Sequence, residues 1–180
     1  SEIKRLHHVA GATTIYVTHD QVEALTMSTN IAVMKEGIVQ QFDSPDRVYH
    51  FPANIFVADF IGNPKVNLLD GEITTKDTVN LGEFKINVNT YHATGKVVVG
   101  VRPEDIAVST SPRPGAVEFS AYSVLPSGAD TTIVAHRGQI ELTIRVMGIS
   151  KIGMDDRIWL TFDPFTLNLY DKDDGNLITG

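Results

Sequence analysis

One histidine, His19, stands where an apolar run meets a helix start in the stretch TTIYVTHDQVEAL. The run at residues 13–18 lacks polar alternation, which predicts a strand buried on both faces, as in a parallel sheet. In such sheets, ligands bind beyond the carboxyl ends of the strands, where helix N-termini offer N–H groups to anions. An imidazole there could hydrogen-bond a terminal phosphate or orient an attacking water. The alternative, favoured by spacing alone, is that His19 satisfies a local backbone group.

The acidic residues after this histidine have a structural explanation. Asp20 suits the N-cap of the following helix, and Glu23 stands at the spacing of a capping box. Val22 and Leu25 are expected to face the sheet. His19 and Asp20 have no third ligand at a useful spacing, so we predict no metal site. Another pair of histidines, in the segment KRLHH, is expected on a solvated helix face.

A phosphate-binding loop would decide whether the chain holds a nucleotide by itself. The one Gly-Lys pair is Gly95-Lys96, which is followed by Val97, and Thr90 stands where the first glycine of the loop belongs. The pattern G-x-x-x-x-G-K-[ST] is therefore not met, and Gly95 is interpreted as a turn before a strand. The chain has a candidate phosphate sensor without a phosphate cradle.

The segment VGVRPEDI is the other compact signal. Pro103 pushes Arg102 toward an extended backbone and begins a turn. Glu104 or Asp105 could pair with Arg102. A charged turn between two strands is favoured over a catalytic site.

The composition of the 180 residues excludes several classes of protein. Lys and Arg number 15 against 22 Asp and Glu, a net charge of -7, which argues against nucleic acid as a partner. Cysteine is absent, so disulfides and thiolate metal sites are excluded. No apolar run approaches the about 20 residues of a membrane-spanning helix, and the start of the chain lacks the apolar core of a secretory signal.

Helices and one hairpin are predicted for the first third of the chain. Residues 2–10 carry helical periodicity, and Glu36-Gly37 separates two apolar runs as a hairpin turn. Ser44-Pro45 begins a helix that runs through His50, and a second helix covers residues 54–61.

Short strands are predicted from there onward. Gly, Pro, Asn and Asp separate candidates at residues 68–75, 83–88, 97–101, 106–109, 117–125, 131–136, 140–146, 157–162 and 167–170. Many short strands with regular turn signals are typical of a closed or nearly closed β-barrel. We therefore predict an α+β chain with two domains, at residues 1–62 and 63–180.

Three quoted segments together resemble a known family. Residues 13–67, from TTIYVTHDQVEAL to FIGNPKVN, look like the end of the nucleotide-binding domain of an ABC importer ATPase. VGVRPEDI and the closing DRIWLTFDPFTLNLYDKDDGNLI resemble its C-terminal TOBE/MOP-type regulatory domain, an all-β OB-like barrel. The most similar subgroup is the maltose-type carbohydrate importer ATPases, which includes glycerol-phosphate and multiple-sugar systems.

The resemblance implies a role for His19 as the switch-loop histidine, which contacts the γ-phosphate of ATP and helps to position the hydrolytic water. The full protein would be an ABC-type ATPase that uses ATP and Mg²⁺. In this family the phosphate-binding loop, the signature motif and the Walker B acids lie upstream. None is found here, so we expect a C-terminal fragment that is inactive alone and binds no cofactor. The strand at residues 13–18 would then pair with another chain or refold against residues 1–62.

The same resemblance implies partners and a location. These are transmembrane permease subunits, a second copy joined through the barrel, and a regulatory protein, at the cytoplasmic face of the cell membrane. An incompletely closed barrel also leaves strand edges that invite a partner. The alternative is a stand-alone OB-like module that senses a small ligand or an oxyanion.

Overall fold

The computed structural model describes residues 5, 9, 11–89 and 95–178. Most of the helix predicted at residues 2–10, with the histidines of KRLHH, lies outside the described residues; Arg5 and Val9 are helical. None of the helices in the described part is long and apolar enough to cross a membrane.

The buried strand predicted at residues 13–18 is wrong. This segment is neither helix nor strand, and the side chains of Ile15 and Val17 are each 90% exposed. A strand of a parallel sheet needs neighbours on both sides to pair its backbone and cover its faces. No described strand lies beside this segment. The apolar run therefore stays exposed and has not refolded into a buried strand against residues 1–62, and its pairing with another chain stays a prediction.

Three short helices and one hairpin follow. In chain order they are α1 (Gln21–Met27), β1 (Ile31–Lys35), β2 (Ile38–Asp43), α2 (Pro45–His50) and α3 (Ile55–Phe60). The predicted hairpin turn is confirmed, and Glu36 and Gly37 both have positive φ, as a two-residue hairpin turn requires. Ser44 caps α2 and Asn54 caps α3, each by accepting a backbone N–H at its side-chain oxygen.

A small apolar core joins these elements. It consists of Ile31, Val33, Val48, Val57 and Ile61, with Leu25 packed against it. The prediction that Val22 faces a sheet is wrong, because its side chain is exposed. In the described part of the chain, α1 packs on this core through Leu25, and Val22 lies on the side of the helix that faces away from it.

Ten strands lie in the rest of the described chain. They are β3 (Asn67–Thr75), β4 (Thr78–Asn80), β5 (Lys85–Asn87), β6 (Gly95–Val101), β7 (Ile106–Ser109), β8 (Val117–Pro126), β9 (Asp130–Arg137), β10 (Ile140–Met147), β11 (Arg157–Phe162) and β12 (Asn168–Asp171). All nine predicted strands are present, and only the three-residue β4 was not predicted. A 3-10 turn, Pro103–Asp105, joins β6 to β7.

The strands form two antiparallel five-stranded sheets, ordered β12-β6-β3-β4-β5 and β10-β9-β8-β11-β7. We call them together the β-domain. Side chains of both sheets share one apolar core, which includes Val99, Phe119, Ile133 and Leu160. The predicted α+β class is confirmed. The predicted boundary lies between the end of α3 and the start of β3, and the division into two domains stays a prediction.

The side chain of Asn67, the first residue of the central strand β3, connects its sheet to the edge strand of the other sheet. Its Oδ1 accepts from the N–H of Thr143 at 2.7 Å, and its Nδ2 donates to the carbonyl of Thr143 at 2.8 Å. Thr143 lies on β10, the edge strand of its sheet. The buried amide thus satisfies the backbone N–H and carbonyl of Thr143, which would otherwise lack partners at the edge of the sheet.

Candidate functional site

His19 lies on an exposed turn between the apolar run and α1. The backbone on both sides of it is held by side chains. The N–H of Asp20 donates to Thr18 Oγ1 at 2.9 Å, and that hydroxyl donates to Glu23 Oε2 at 2.7 Å. The imidazole is therefore presented to solvent from a hydrogen-bonded frame, which agrees with a role in contacting a ligand or a partner surface.

Two of the N–H groups at the start of α1 are bound by a side chain of the same segment. Asp20 Oδ1 accepts from the N–H groups of Val22 at 2.8 Å and of Glu23 at 3.1 Å. The predicted N-cap is confirmed, and the Asp20 carboxylate occupies two N–H groups that an anion at this helix N-terminus would otherwise use. Contact of the exposed His19 imidazole with a phosphate stays a prediction.

Glu23 completes this frame differently from the predicted capping box. Its carboxylate accepts from Tyr16 Oη at 3.0 Å and from Thr18, instead of from the N–H of Asp20. The hydrogen bond with Glu23 raises the pKa of the Tyr16 hydroxyl. Glu23 thereby connects the exposed run at residues 13–18 to α1 through side-chain hydrogen bonds.

Gln21, the first residue of α1, binds the end of α3. Its Nε2 donates to the carbonyl of Phe60 at 2.6 Å, and its Oε1 accepts from the N–H of Gly62 at 2.6 Å. Sequence reasoning missed this contact because the partners are about 40 residues apart and neither residue type indicates the other.

Arg102 binds the same chain segment from the β-domain. Its side chain is buried, at 3% exposure, and it donates to the carbonyls of Tyr49, Ala58 and Ile61. The guanidinium also lies over the ring of Tyr49, 4.3 Å from its centroid. Pairing of Arg102 with Glu104 or Asp105, which we considered from the sequence, gives way to these contacts because carbonyls at a helix C-terminus need donors.

Tyr49 extends this contact to the 3-10 turn, since its hydroxyl donates to Glu104 Oε1. Burial, and next the hydrogen bond with Glu104, raise the pKa of Tyr49 to about 12. The hydroxyl is therefore a neutral donor at physiological pH. The predicted charged turn between two strands is confirmed, with the added function of docking α2.

Asp105 is the ionisable group of this turn that is least favourably placed. Its burial raises the pKa of the carboxyl and the charge of Glu104 raises it further, while the charges of His50 and Arg102 lower it. Because the pKa of Asp105 is raised in the folded chain, its contribution to the free energy of unfolding is fully present below the pKa of the unfolded chain. That contribution is lost as the pH rises through the pKa of the folded chain.

Asp105→Asn is therefore expected to stabilise the chain at pH 7 and not at acidic pH. The gain should be under about 1 kcal/mol, because water reaches the half-buried carboxyl and screens it. Urea unfolding at pH 7 and below about pH 3.5, where an ordinary Asp is protonated, measures it. An equal gain at both pH values would contradict this explanation.

Neither a metal centre nor a phosphate cradle is found in the described part of the chain. No group of three or more His, Cys, Asp or Glu residues there could hold a metal ion. Gly95 has a φ of 94° and begins β6, and Lys96 pairs with Glu72 in the β3–β6 ladder. Gly95 is a turn residue before a strand, as predicted.

Comparison with known proteins gives the family. A family model described as "MalK OB fold domain" matches residues 62–106. The trehalose/maltose import ATP-binding protein MalK of Thermococcus litoralis is 35% identical in an alignment of 192 positions, which covers 99% of this chain and 52% of that protein. The sn-glycerol-3-phosphate import ATP-binding protein UgpC of Salmonella typhi is 35% identical over 182 residues, which cover 98% of this chain and 51% of that protein.

One solved structure, of the cytoplasmic molybdate-binding protein ModG, aligns with 57% of this chain and 94% of its own. Its TM-score is 0.49 and its sequence identity 14%, too distant a likeness to inform the function. The chain spans about half the length of the curated relatives it matches. Residues 62–106 thus match the MalK OB-fold domain, and nearly the whole chain is homologous to the C-terminal portion of sugar and sugar-phosphate ABC importer ATP-binding subunits.

Proposed function

We propose that the whole protein is the ATP-binding subunit of an ABC importer for a sugar or sugar-phosphate, and that His19 is its switch-loop histidine. The observation that carries this proposal is the exposed His19 in its frame of Thr18, Asp20 and Glu23, within a chain of this family. In the complete subunit the imidazole would contact the γ-phosphate of ATP and orient the attacking water.

Sequencing the gene upstream of Ser1 tests the proposed function directly. A reading frame that continues for about 190 residues, the size of one further domain, and carries G-x-x-x-x-G-K-[ST] supports it. An upstream region without a phosphate-binding loop would favour the second candidate, a stand-alone module that senses a small ligand. No contact within the described residues favours that second candidate.

We propose that the chain has the two domains that its sequence predicts. Residues 1–62 would be the end of the nucleotide-binding domain, and residues 63–180 the regulatory OB-like barrel. The subunit would lie at the inner face of the membrane on its permease subunits, with ATP and Mg²⁺ bound mainly by residues upstream. The His19 imidazole fits one contact to that nucleotide, and no group of three or more His, Cys, Asp or Glu among the described residues could hold the metal.

The 180-residue chain alone is expected neither to bind ATP appreciably nor to hydrolyse it. One neutral hydrogen bond contributes about 0.5–1.5 kcal/mol net, whereas micromolar binding requires about 8 kcal/mol. Two N–H groups at the start of α1, those of Val22 and Glu23, are already bound by Asp20 and add nothing to the binding. Isothermal calorimetry with Mg-ATP measures this, and micromolar affinity would reveal a nucleotide site outside the one described.

We also propose that the β-domain pairs with a second copy. Asn67 binds the edge of β10 at Thr143 and interrupts it as a surface for strand pairing, so we assign the contact to side chains and not to that strand edge. Four exposed apolar residues, which we call the apolar loop surface, are Tyr122, Met147, Ile149 and Met154. The N–H of Asp155 donates to the carbonyl of Ala121 at 2.8 Å and holds the loop against β8, beside Tyr122.

Light scattering is expected to give a dimer of the chain at micromolar concentration. Met147→Glu should weaken the dimer about tenfold or more, because Met147 is 87% exposed and a buried, unpaired charge is unfavourable at an interface. Phe165→Glu is the matched control, since Phe165 is also exposed but lies outside the apolar loop surface. A monomer at every accessible concentration would contradict self-association. A regulatory protein would compete for the same domain.

A further inference from the structure

We infer that Gln21 and Arg102 are positioning residues, and that the turn at residues 58–62 couples the orientation of the His19 segment to the docking of the β-domain. This inference rests on the proposed function of His19. Two side chains from opposite sides bind the backbone of one turn, the C-terminal end of α3.

The first contact comes from the His19 side. Gln21 follows His19 by two residues, and its amide makes two short bonds to the turn, at 2.6 Å to Phe60 O and 2.6 Å from Gly62 N. The last carbonyls of a helix lack partners within the helix, so an amide that satisfies them fixes the position of the turn. A shift of the turn therefore pulls on the first residue of α1.

The second contact comes from the β-domain. Arg102 follows β6 directly and donates to the carbonyls of Ala58 and Ile61 in the same turn. A buried cation at a helix C-terminus is stabilised by the helix dipole as well as by the hydrogen bonds. A third bond, to Tyr49 O at 2.9 Å, keeps the guanidinium aligned.

Gly62 is where the two contacts meet. Its N–H is bound by Gln21, and a Cβ built on it would lie 2.7 Å from Arg102 Nη1. Its φ of 121° belongs to a region that side chains rarely adopt. The guanidinium therefore packs against the backbone that Gln21 holds, and the β-domain cannot move away from the turn without releasing it. The turn therefore has two arrangements. In one, Gln21 and Arg102 both bind it, and in the other only one of them does. Only the first arrangement fixes α1 against the β-domain.

The chain offers a matched control for Gln21. Gln41 makes the same pair of bonds elsewhere, with Nε2 donating to Phe51 O at 3.2 Å and Oε1 accepting from Ala53 N at 2.8 Å. It lies on β2, away from the His19 segment in the chain. A general loss of stability would affect both variants, whereas a loss of positioning would affect only one.

The experiment measures ATP hydrolysis by the complete subunit assembled with its permease. Gln21→Met is expected to lower kcat about tenfold with the KM for ATP unchanged, within the usual range of coupling between sites. Gln41→Met should leave kcat within about twofold, as for sites that do not interact. Arg102→Met should match Gln21→Met, and Arg102→Lys should recover part of the loss because it keeps a charged donor.

The double variant Gln21→Met/Arg102→Met decides whether both residues act through the turn. Its kcat should equal that of either single variant, because the first change already releases the turn. A multiplied loss, or equal effects of Gln21→Met and Gln41→Met, would overturn the inference. If Gln21→Met does not assemble, Gln21→Glu is compared with Gln41→Glu in its place, since it keeps the acceptor for Gly62.

Hydrogen exchange and His19→Ala separate the possible failures. Amide exchange at residues 58–62 of the complete subunit should accelerate in Arg102→Met, and unchanged exchange would also overturn the inference. Near wild-type hydrolysis by His19→Ala would remove the proposed function itself. Loss of hydrolysis in His19→Ala with normal kcat in Gln21→Met would remove this inference alone.

Discussion

Replacement of His19 by alanine in the complete subunit should lower kcat for ATP hydrolysis by about 10²-fold or more, while nucleotide binding is retained. A positioned imidazole that helps to orient or deprotonate water contributes about 10²–10⁴-fold to a reaction rate. The affinity for nucleotide depends mainly on a phosphate-binding loop that wraps the phosphates, so loss of one imidazole should change it little. Steady-state ATPase assays and equilibrium nucleotide titrations of the purified transporter measure the two quantities separately.

His50→Ala is the matched control for this experiment. His50 lies on α2, with its ring half exposed beside Asp46 at 3.2 Å, and it has no proposed contact with nucleotide. Its removal should leave kcat within about twofold, because an exposed pair contributes little. Hydrolysis near the wild-type rate in His19→Ala, with His50→Ala unchanged, would contradict the switch-loop role. The frame of Thr18, Asp20 and Glu23 would then serve folding alone.

Replacement of Arg102 by methionine should destabilise the packing of α2 and α3 on the β-domain by about 3 kcal/mol. Three carbonyl acceptors lose a charged donor, and each buried group left unsatisfied costs about 1–3 kcal/mol. Methionine keeps most of the side-chain volume, so the loss reports the hydrogen bonds more than a cavity. Chemical denaturation of the chain and limited proteolysis at residues 45–62 measure the effect.

Arg47→Met serves as the control for Arg102→Met. Arg47 is exposed and forms an ion pair at 2.8 Å with Asp43, the last residue of β2. An exposed pair contributes about 0.2–1 kcal/mol, so its loss should be much smaller than the effect of Arg102→Met. If the two arginine variants unfold at the same denaturant concentration, Arg102 is not the residue that holds the helices on the β-domain.

The parts of the fold that follow from neighbouring residues were predictable from the sequence. Gly37 supplies the positive φ of the hairpin turn, and Ser44 and Asn54 cap helices with their own side chains. The strands of the β-domain alternate with turn residues every few positions, and nine of them were located from that pattern. In each case the energy that selects the structure acts within a few residues of the chain.

The candidate site was predictable in its type and not in its surroundings. His19 and the N-cap Asp20 follow from local pattern and from family resemblance. The N–H groups of Val22 and Glu23 at the start of α1 are not free for a ligand, since one Asp20 carboxylate oxygen accepts both. The run at residues 13–18 has the composition of a buried strand and is nevertheless exposed, because burial depends on neighbouring strands that no local pattern supplies.

Tertiary structure alone decided the contacts that join the parts of the molecule. Gln21 and Gly62 are separated by 41 residues, Arg102 and Ala58 by 44, and Asn67 and Thr143 by 76. Each contact satisfies a backbone group whose partner depends on which helix end or sheet edge the fold brings nearby. The local sequence around a glutamine, an arginine or an asparagine is the same whether its side chain is solvated or hydrogen-bonded to a distant part of the fold. Only the packing of α3 against β6 lets Gln21 and Arg102 connect the His19 segment with the β-domain, and only the packing of β3 against β10 lets Asn67 connect the two sheets within that domain.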